Sequence, residues 1–184
     1  MLINESSFVW PVEFGCTLII EKLILPNFYN IRISVEPLAN GECNITSGFQ
    51  KIRYFVDNYL HNSILISSEN NFMTVLDQAE TNLVVLPVEP YDYYVGCILY
   101  SKLASISEKY FDISQIIIDS LVGDKIQYNI QYPEESGLDM QGEHWWNVDT
   151  AHTGGREQGS WDSLDLDDKP NFQPKIIRGG LSEN

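Results

Sequence analysis

The chain is poor in cysteine, in basic residues and in long apolar runs, and each shortage argues against a class of protein. Its three cysteines, Cys16, Cys43 and Cys97, are widely spaced and odd in number, which speaks against a disulfide framework and against a CxxC metal site. All three stand among apolar neighbours, where a buried, inert thiol is expected. No apolar run approaches the roughly 20 residues that a membrane-spanning helix needs. The N-terminus, Met1-Leu2-Ile3-Asn4-Glu5, carries neither a basic nor an apolar leader region. No signal peptide is therefore expected, and the expected compartment is a reducing cytoplasm. Lysine and arginine number 11 against 26 aspartates and glutamates, a net charge of −15. That balance argues against direct binding to nucleic acid, whose phosphates call for cationic side chains. It argues equally against docking on an anionic membrane.

What is present is a globular composition. With 184 residues, 43% hydrophobic and 12% aromatic, the chain can build one domain with a real core. The charge is uneven. Residues 1–133 hold 15 acidic and 7 basic residues, whereas 134–184 hold 11 and 4. Three of the four tryptophans also lie in the later segment. The shift falls at Pro133-Glu134-Glu135-Ser136-Gly137, which divides the chain into a globular domain, 1–133, and an acidic tail, 134–184, expected to be partly extended or disordered.

Periodicity predicts an α+β domain. Phe14 to Leu25 is aliphatic and ends at Pro26-Asn27, and Asn30 to Glu36 alternates Ile31, Ile33 and Val35 with polar residues, the period of a half-buried strand. Ser47 and Gln50 form a capping box for a helix whose apolar face is Phe49, Ile52, Phe55, Val56, Tyr59 and Leu60, with Lys51, Arg53, Asp57 and Asn58 on the wet side. Ser63 to Ser67 and Asn82 to Leu86 read as short buried strands joined by a polar, Asn-rich connection. Asp92 suits the first turn of a second helix reaching about Tyr110, with Tyr91, Tyr94, Val95, Ile98, Leu103 and Ile106 facing inward. Ile113 to Leu121 and Lys125 to Tyr132 read as a closing hairpin. The order β-β-α-β-β-α-β-β implies a mostly antiparallel sheet with two main helices on one face.

No motif supplies a catalytic or cofactor site, and no cofactor is expected. His61 falls at the predicted end of the first helix, where an imidazole meets the last carbonyls. His144 and His152 lie near Glu143, Asp149 and Glu157, but their spacing fits no zinc signature and makes them weak metal candidates. Thr153-Gly154-Gly155-Arg156 lacks the strand and the GxxxxGK[ST] pattern of a phosphate loop.

The informative stretch is Glu143-His144-Trp145-Trp146. Leaving large apolar side chains in water costs roughly 1.5–3 kcal/mol each. Trp145 and Trp146 should therefore either close the chain's own core or anchor a partner. Trp161-Asp162-Ser163-Leu164-Asp165-Leu166 poses the same choice as an acidic–apolar recognition segment. The stretch Leu86-Pro87-Val88-Glu89-Pro90-Tyr91-Asp92, followed by an apolar helix, then Gly123-Asp124 and Trp145-Trp146, resembles small uncharacterised accessory proteins encoded by bacteriophages. The likeness covers the last two thirds of the chain, and it implies a host-cytoplasm setting and a non-enzymatic modulator, with no residue roles.

The sequence therefore favours a protein-interaction factor, an inhibitor or adaptor. It would engage a protein partner with a basic or apolar groove through Trp145, Trp146, Trp161, Asp162, Leu164, Asp165 and Leu166, with self-association possible. The alternatives are a structural or assembly component of a virus particle or other complex, and an enzyme on a small nucleotide-like ligand centred on Glu143, His144, Asp149 and His152.

Overall fold

The computed structural model describes residues 8–38, 45–78, 81–123, 125–155 and 161. These form an α+β fold around one six-stranded mixed sheet. The strands are β1 (Phe8–Ile20), β2 (Leu23–Pro37), β3 (Ser63–Ser67), β4 (Leu83–Leu86), β5 (Phe111–Ser120) and β6 (Tyr128–Ile130), in the spatial order β4-β3-β1-β2-β5-β6. Three of the neighbouring pairs are antiparallel; β3 runs parallel to both β1 and β4.

β1 and β2 make one long hairpin. Its turn lies at Glu21-Lys22, with Glu21 in a left-handed conformation at φ 53°. The expected break at Pro26-Asn27 is instead inside β2, opposite Thr17 and Cys16. A proline is tolerated there because β5 begins to pair with β2 only at Tyr29, which leaves Pro26 on a free edge. From Tyr29 onward β2 alternates as its sequence predicts, with Tyr29, Ile31, Ile33 and Val35 buried and Asn30, Arg32 and Glu36 exposed. β3 and β4 are buried on both sides and read as continuous apolar runs, the usual state of parallel strands.

Two main helices, α1 (Ile45–Phe55) and α3 (Asp92–Ser107), cover one face and enclose the principal core with Phe14, Tyr29, Ile31 and Phe111. Helix α1 starts two residues ahead of the predicted capping box, so Ser47 is a buried first-turn residue and not a cap. The helix widens into a π turn over Val56–Leu60, closed by the bond from His61 N to Val56 O. A third helix, α2 (Met73–Gln78), occupies the connection expected to be merely polar. It lies over the opposite face, where Met73 and Leu76 pack on Ile19, Ile66 and Leu83. Two side chains reverse their predicted sides: Lys51 is buried and Tyr91 is exposed.

Helix α1 meets the start of β5 so closely that Gly48 has no room for a side chain. A Cβ there would lie 2.6 Å from Phe111 Cε1 and 2.8 Å from Tyr110 Cβ. Alanine normally stabilises a helix interior by about 1 kcal/mol over glycine, but overpacking costs about 1–3 kcal/mol. Gly48→Ala should therefore lower the urea midpoint at unchanged slope, by a net of about 1 kcal/mol. A higher midpoint would show that Phe111 can move aside.

Candidate functional site

The segment after residue 133 is built into the body as far as it is described. Pro133–Ser136 forms a short 3-10 turn and Trp145–Asn147 another, and the second packs on α3. The organising group is Lys102 in α3, which is fully buried. Its ammonium donates to the carbonyls of Trp145 at 2.7 Å, Val148 at 2.7 Å and Thr150 at 2.6 Å, so residues 145–150 wrap around one charge. The rings of Phe55 and Trp145 flank it at 5.5 and 5.8 Å. Burial pushes its pKa down to about 7, with Asp149 pulling the other way. Three carbonyl acceptors also favour the ammonium, because a neutral amine has only two hydrogens to give. A second lysine holds the same strap: Lys51 Nζ lies 3.1 Å from Asp149 Oδ2, over the rings of Tyr110 and Trp161.

Beyond this clamp the strap runs along β4. Trp145 Nε1 donates to Val85 O at 2.8 Å, Val85 N donates to Thr153 O, and Thr153 Oγ1 donates to Leu83 O at 2.6 Å. Gly154 pairs with Val84 at a positive φ of 81°, and a Cβ there would lie 2.9 Å from Trp145 Cδ1. The edge of the sheet is thus covered by the chain itself.

A second polar cluster lies under the β5–β6 loop at the other end of α3. The Asp92 carboxyl accepts from Tyr29 Oη and from Ser120 Oγ, each at 2.8 Å, and Gly123 N donates to Ser120 Oγ. Val122 N donates to Asn27 Oδ1, beside Cys16. Burial, and then Asp92, raise the Cys16 thiol to about 12 and push the Tyr29 hydroxyl well up. A thiol held protonated is no nucleophile, and the bonds of Asp92 to Tyr29 and Ser120 join α3 to the sheet.

Above this cluster the surface turns apolar. Leu23, Ile24 and Leu121 are 60%, 62% and 72% exposed, and Tyr91 and Val122 are exposed as well. The loops that carry them are tied to the same end of the sheet: Leu121 N bonds Phe28 O, Asp92 binds Ser120, and Glu89 Oε2 accepts from Glu21 N.

The residues singled out in the sequence fall in different places. Trp145 and Trp146 are in the core, at right angles to one another, the first of the two roles open to them. Trp161 is half-buried against Tyr54 and Lys51, with its Nε1 3.3 Å from Asp149 O. Asp162, Leu164, Asp165 and Leu166 lie outside the described residues, as does Cys43. His144 stacks on Trp146 and meets Asp139, while His152 bonds Gly155 O. His61 Nδ1 accepts from Gly15 N. No group of three or more His, Cys, Asp or Glu among the described residues is placed to hold a metal ion. Lys51 and Lys102, the two cations that hold the strap, were invisible to helical periodicity because their partners lie 43 to 98 residues away.

No family model and no curated protein matches the chain. Among solved structures, an uncharacterised protein of Wolinella succinogenes superposes with a TM-score of 0.53 at 12% identity, over 68% of this chain and 97% of that one. A catalytic-residue variant of the 6-pyruvoyltetrahydropterin synthase of Plasmodium vivax gives 0.42 at 10% identity, over 68% and 98%. The first likeness is one of fold alone.

Lys102→Met would leave three buried carbonyls without their donor, and should cost about 3–5 kcal/mol in urea unfolding at neutral pH. The pH dependence has a definite sign. The folded pKa is depressed, so above about 7 the unfolded chain holds a proton that the buried amine has released, and stability rises with pH up to the ordinary lysine value. The wild-type stability minus that of Lys102→Met should therefore grow from pH 7 to 9; a flat difference would show that the carbonyls hold the ammonium charged throughout.

Proposed function

We propose that this protein is a non-enzymatic interaction factor, an inhibitor or adaptor that binds another protein through apolar side chains set in an acidic surface. The observation that carries the reading is the apolar end of the sheet, where Leu23, Ile24, Tyr91, Leu121 and Val122 stand exposed together. Single exposed apolar residues are ordinary, whereas five of them at one end of the sheet on a chain of net charge −15 support a recognition surface. Three of the perturbed ionisable groups, Lys102, Tyr29 and Cys16, are buried, and the first two are held in internal hydrogen bonds. Trp145 and Trp146, being core residues, leave the anchoring role to this end and to the acidic–apolar stretch around Asp162, Leu164, Asp165 and Leu166.

The test is affinity capture from a native lysate, quantified by mass spectrometry, with wild type, Ile24→Asp/Leu121→Asp, and a chain ending at Trp161. Truncation at 133 is uninformative, since it removes core residues. The double variant changes exposed positions and should keep its stability within about 0.5 kcal/mol. It should retain a specific partner about tenfold less well, a loss of about 1.4 kcal/mol. The shortened chain should also bind more weakly. An unchanged partner set in unchanged amounts for both would refute the proposal.

A further inference from the structure

The opposite end of α3 carries a different surface. Its last two turns and the start of β5 frame an open groove of about 440 Å3, walled by Tyr100, Phe111 and Ile113 and floored by the small residues Ser101, Ala104 and Ser105. Phe111 and Ile113 are themselves buried, so the half-buried Tyr100 is the wall a ligand would cover, and the small floor lets another backbone come close. The charged residues that line it are both acidic. Glu108 and Asp112 stand at its margin, both exposed. The Tyr100 hydroxyl, which donates to Ile113 O at 2.8 Å, is pushed up in pKa by burial and then by Glu134, Asp112 and Glu36. Asp112 lines the groove and Glu134 and Glu36 lie near Tyr100, so carboxylates predominate around it. Of the chain's few cations, Lys102 and Lys51 are buried under the strap, and the exposed Lys109 stands beside Glu108 but outside the lining, one cation against four carboxylates.

We infer that this groove is a second docking site, and that it takes an extended Lys/Arg-rich segment of another protein. Apolar side chains of that segment would fill the space over Ala104, and its cations would meet Glu108 and Asp112. Charge complementarity selects this occupant: a second copy of so acidic a chain would be repelled, and an anionic ligand more so. The inference goes beyond the interaction reading and stands on separate residues. α3 spans 16 residues between the two surfaces, so either site can fail without the other.

The experiment uses the full chain and a dye-labelled nonapeptide, (Arg-Ala-Leu)3, with both ends blocked, followed by fluorescence anisotropy. Controls are the same peptide with glutamate for arginine, and two protein variants that remove equal charge: Glu108→Gln/Asp112→Asn at the groove, and Glu13→Gln/Glu69→Gln away from it. A third variant, Ala104→Trp, fills the groove without altering charge. The arginine peptide should bind and the glutamate peptide should not. Binding should weaken about tenfold or more with Glu108→Gln/Asp112→Asn and with Ala104→Trp, and stay within about twofold with Glu13→Gln/Glu69→Gln. Amide NMR shifts should centre on Ser101, Ala104 and Ser105.

Equal weakening by both charge variants, or insensitivity to Ala104→Trp, would mean unspecific attraction to an acidic chain and would overturn the groove. A dimer in sedimentation that Ala104→Trp dissolves would assign the groove to a second copy. Tighter peptide binding on removal of residues 162–184 would assign it to the chain's own end. Either result overturns the inference. None of these results bears on the Ile24 and Leu121 surface, so loss of the groove and loss of the proposed function remain separable.

Discussion

The structure depends on one buried cation. Taking an ammonium out of water costs several kcal/mol even after the protein relaxes around it, and Lys102 is fully buried. The cost is offset in part because three carbonyl dipoles from a single short loop, those of Trp145, Val148 and Thr150, point at its three hydrogens, and the remainder shows as the pKa depressed to about 7. Such a loop has little reason to take this shape by itself, having no long helix and no strand partner of its own. The charge gives it one. Once wrapped, the loop delivers Trp145 to the core and carries Thr153 to the edge of β4. Lys51 then repeats the device on Asp149. In a chain with only 11 cations, spending two on holding down the acidic segment explains why that segment joins the body.

Why part of this was legible in the sequence and part was not follows from the range of the forces. The alternation of Ile31, Ile33 and Val35 could be read because one face of β2 meets the core and the other meets water, and a period of two records that directly. The hairpin of β5 and β6 was legible from the turn signal at Gly123 between two apolar runs, and the inward face of α3, Tyr91 excepted, from helical spacing. The turn at Glu21-Lys22 was not, since neither residue carries a turn signal, and the proline signal five residues later marks a free edge. Helix α2 has six residues and makes sense only with the second face of the sheet beneath it. For the candidate site the gap was wider. Apolar periodicity assigns every lysine to water, so it cannot find one whose acceptors arrive from the far end of the chain. The pair Trp145-Trp146 signalled that something must be buried, without saying where.

The two faces of the sheet divide the labour. The face under α1 and α3 is apolar and closed, and the other, beyond the patch covered by α2, is a polar surface joined by side-chain hydrogen bonds. Asn30 and Gln127 both donate to Asp119 there, and Gln131 donates to Gln115. A polar open face suits a half-solvated antiparallel sheet, and it leaves the ends of the sheet among the places where apolar atoms reach water.

The link between those ends bears on what kind of interaction protein the proposal describes. Coupling between two binding surfaces requires an element with two arrangements that the ligands distinguish. α3 connects the apolar end to the groove, but it is anchored at one end by Asp92 with Tyr29 and Ser120, and near the other by Lys102. Between the anchors Gly96 lies so close to Ile118 and Ile130 that a Cβ would fall 2.9 Å from the first. A helix pinned in this way moves as one piece, and a ligand at one end finds no alternative packing to favour. Occupancy of the two surfaces should then be additive in free energy. Additive sites on a rigid body bring two partners together without either altering the other's affinity, which is the behaviour of an adaptor and not of a switch.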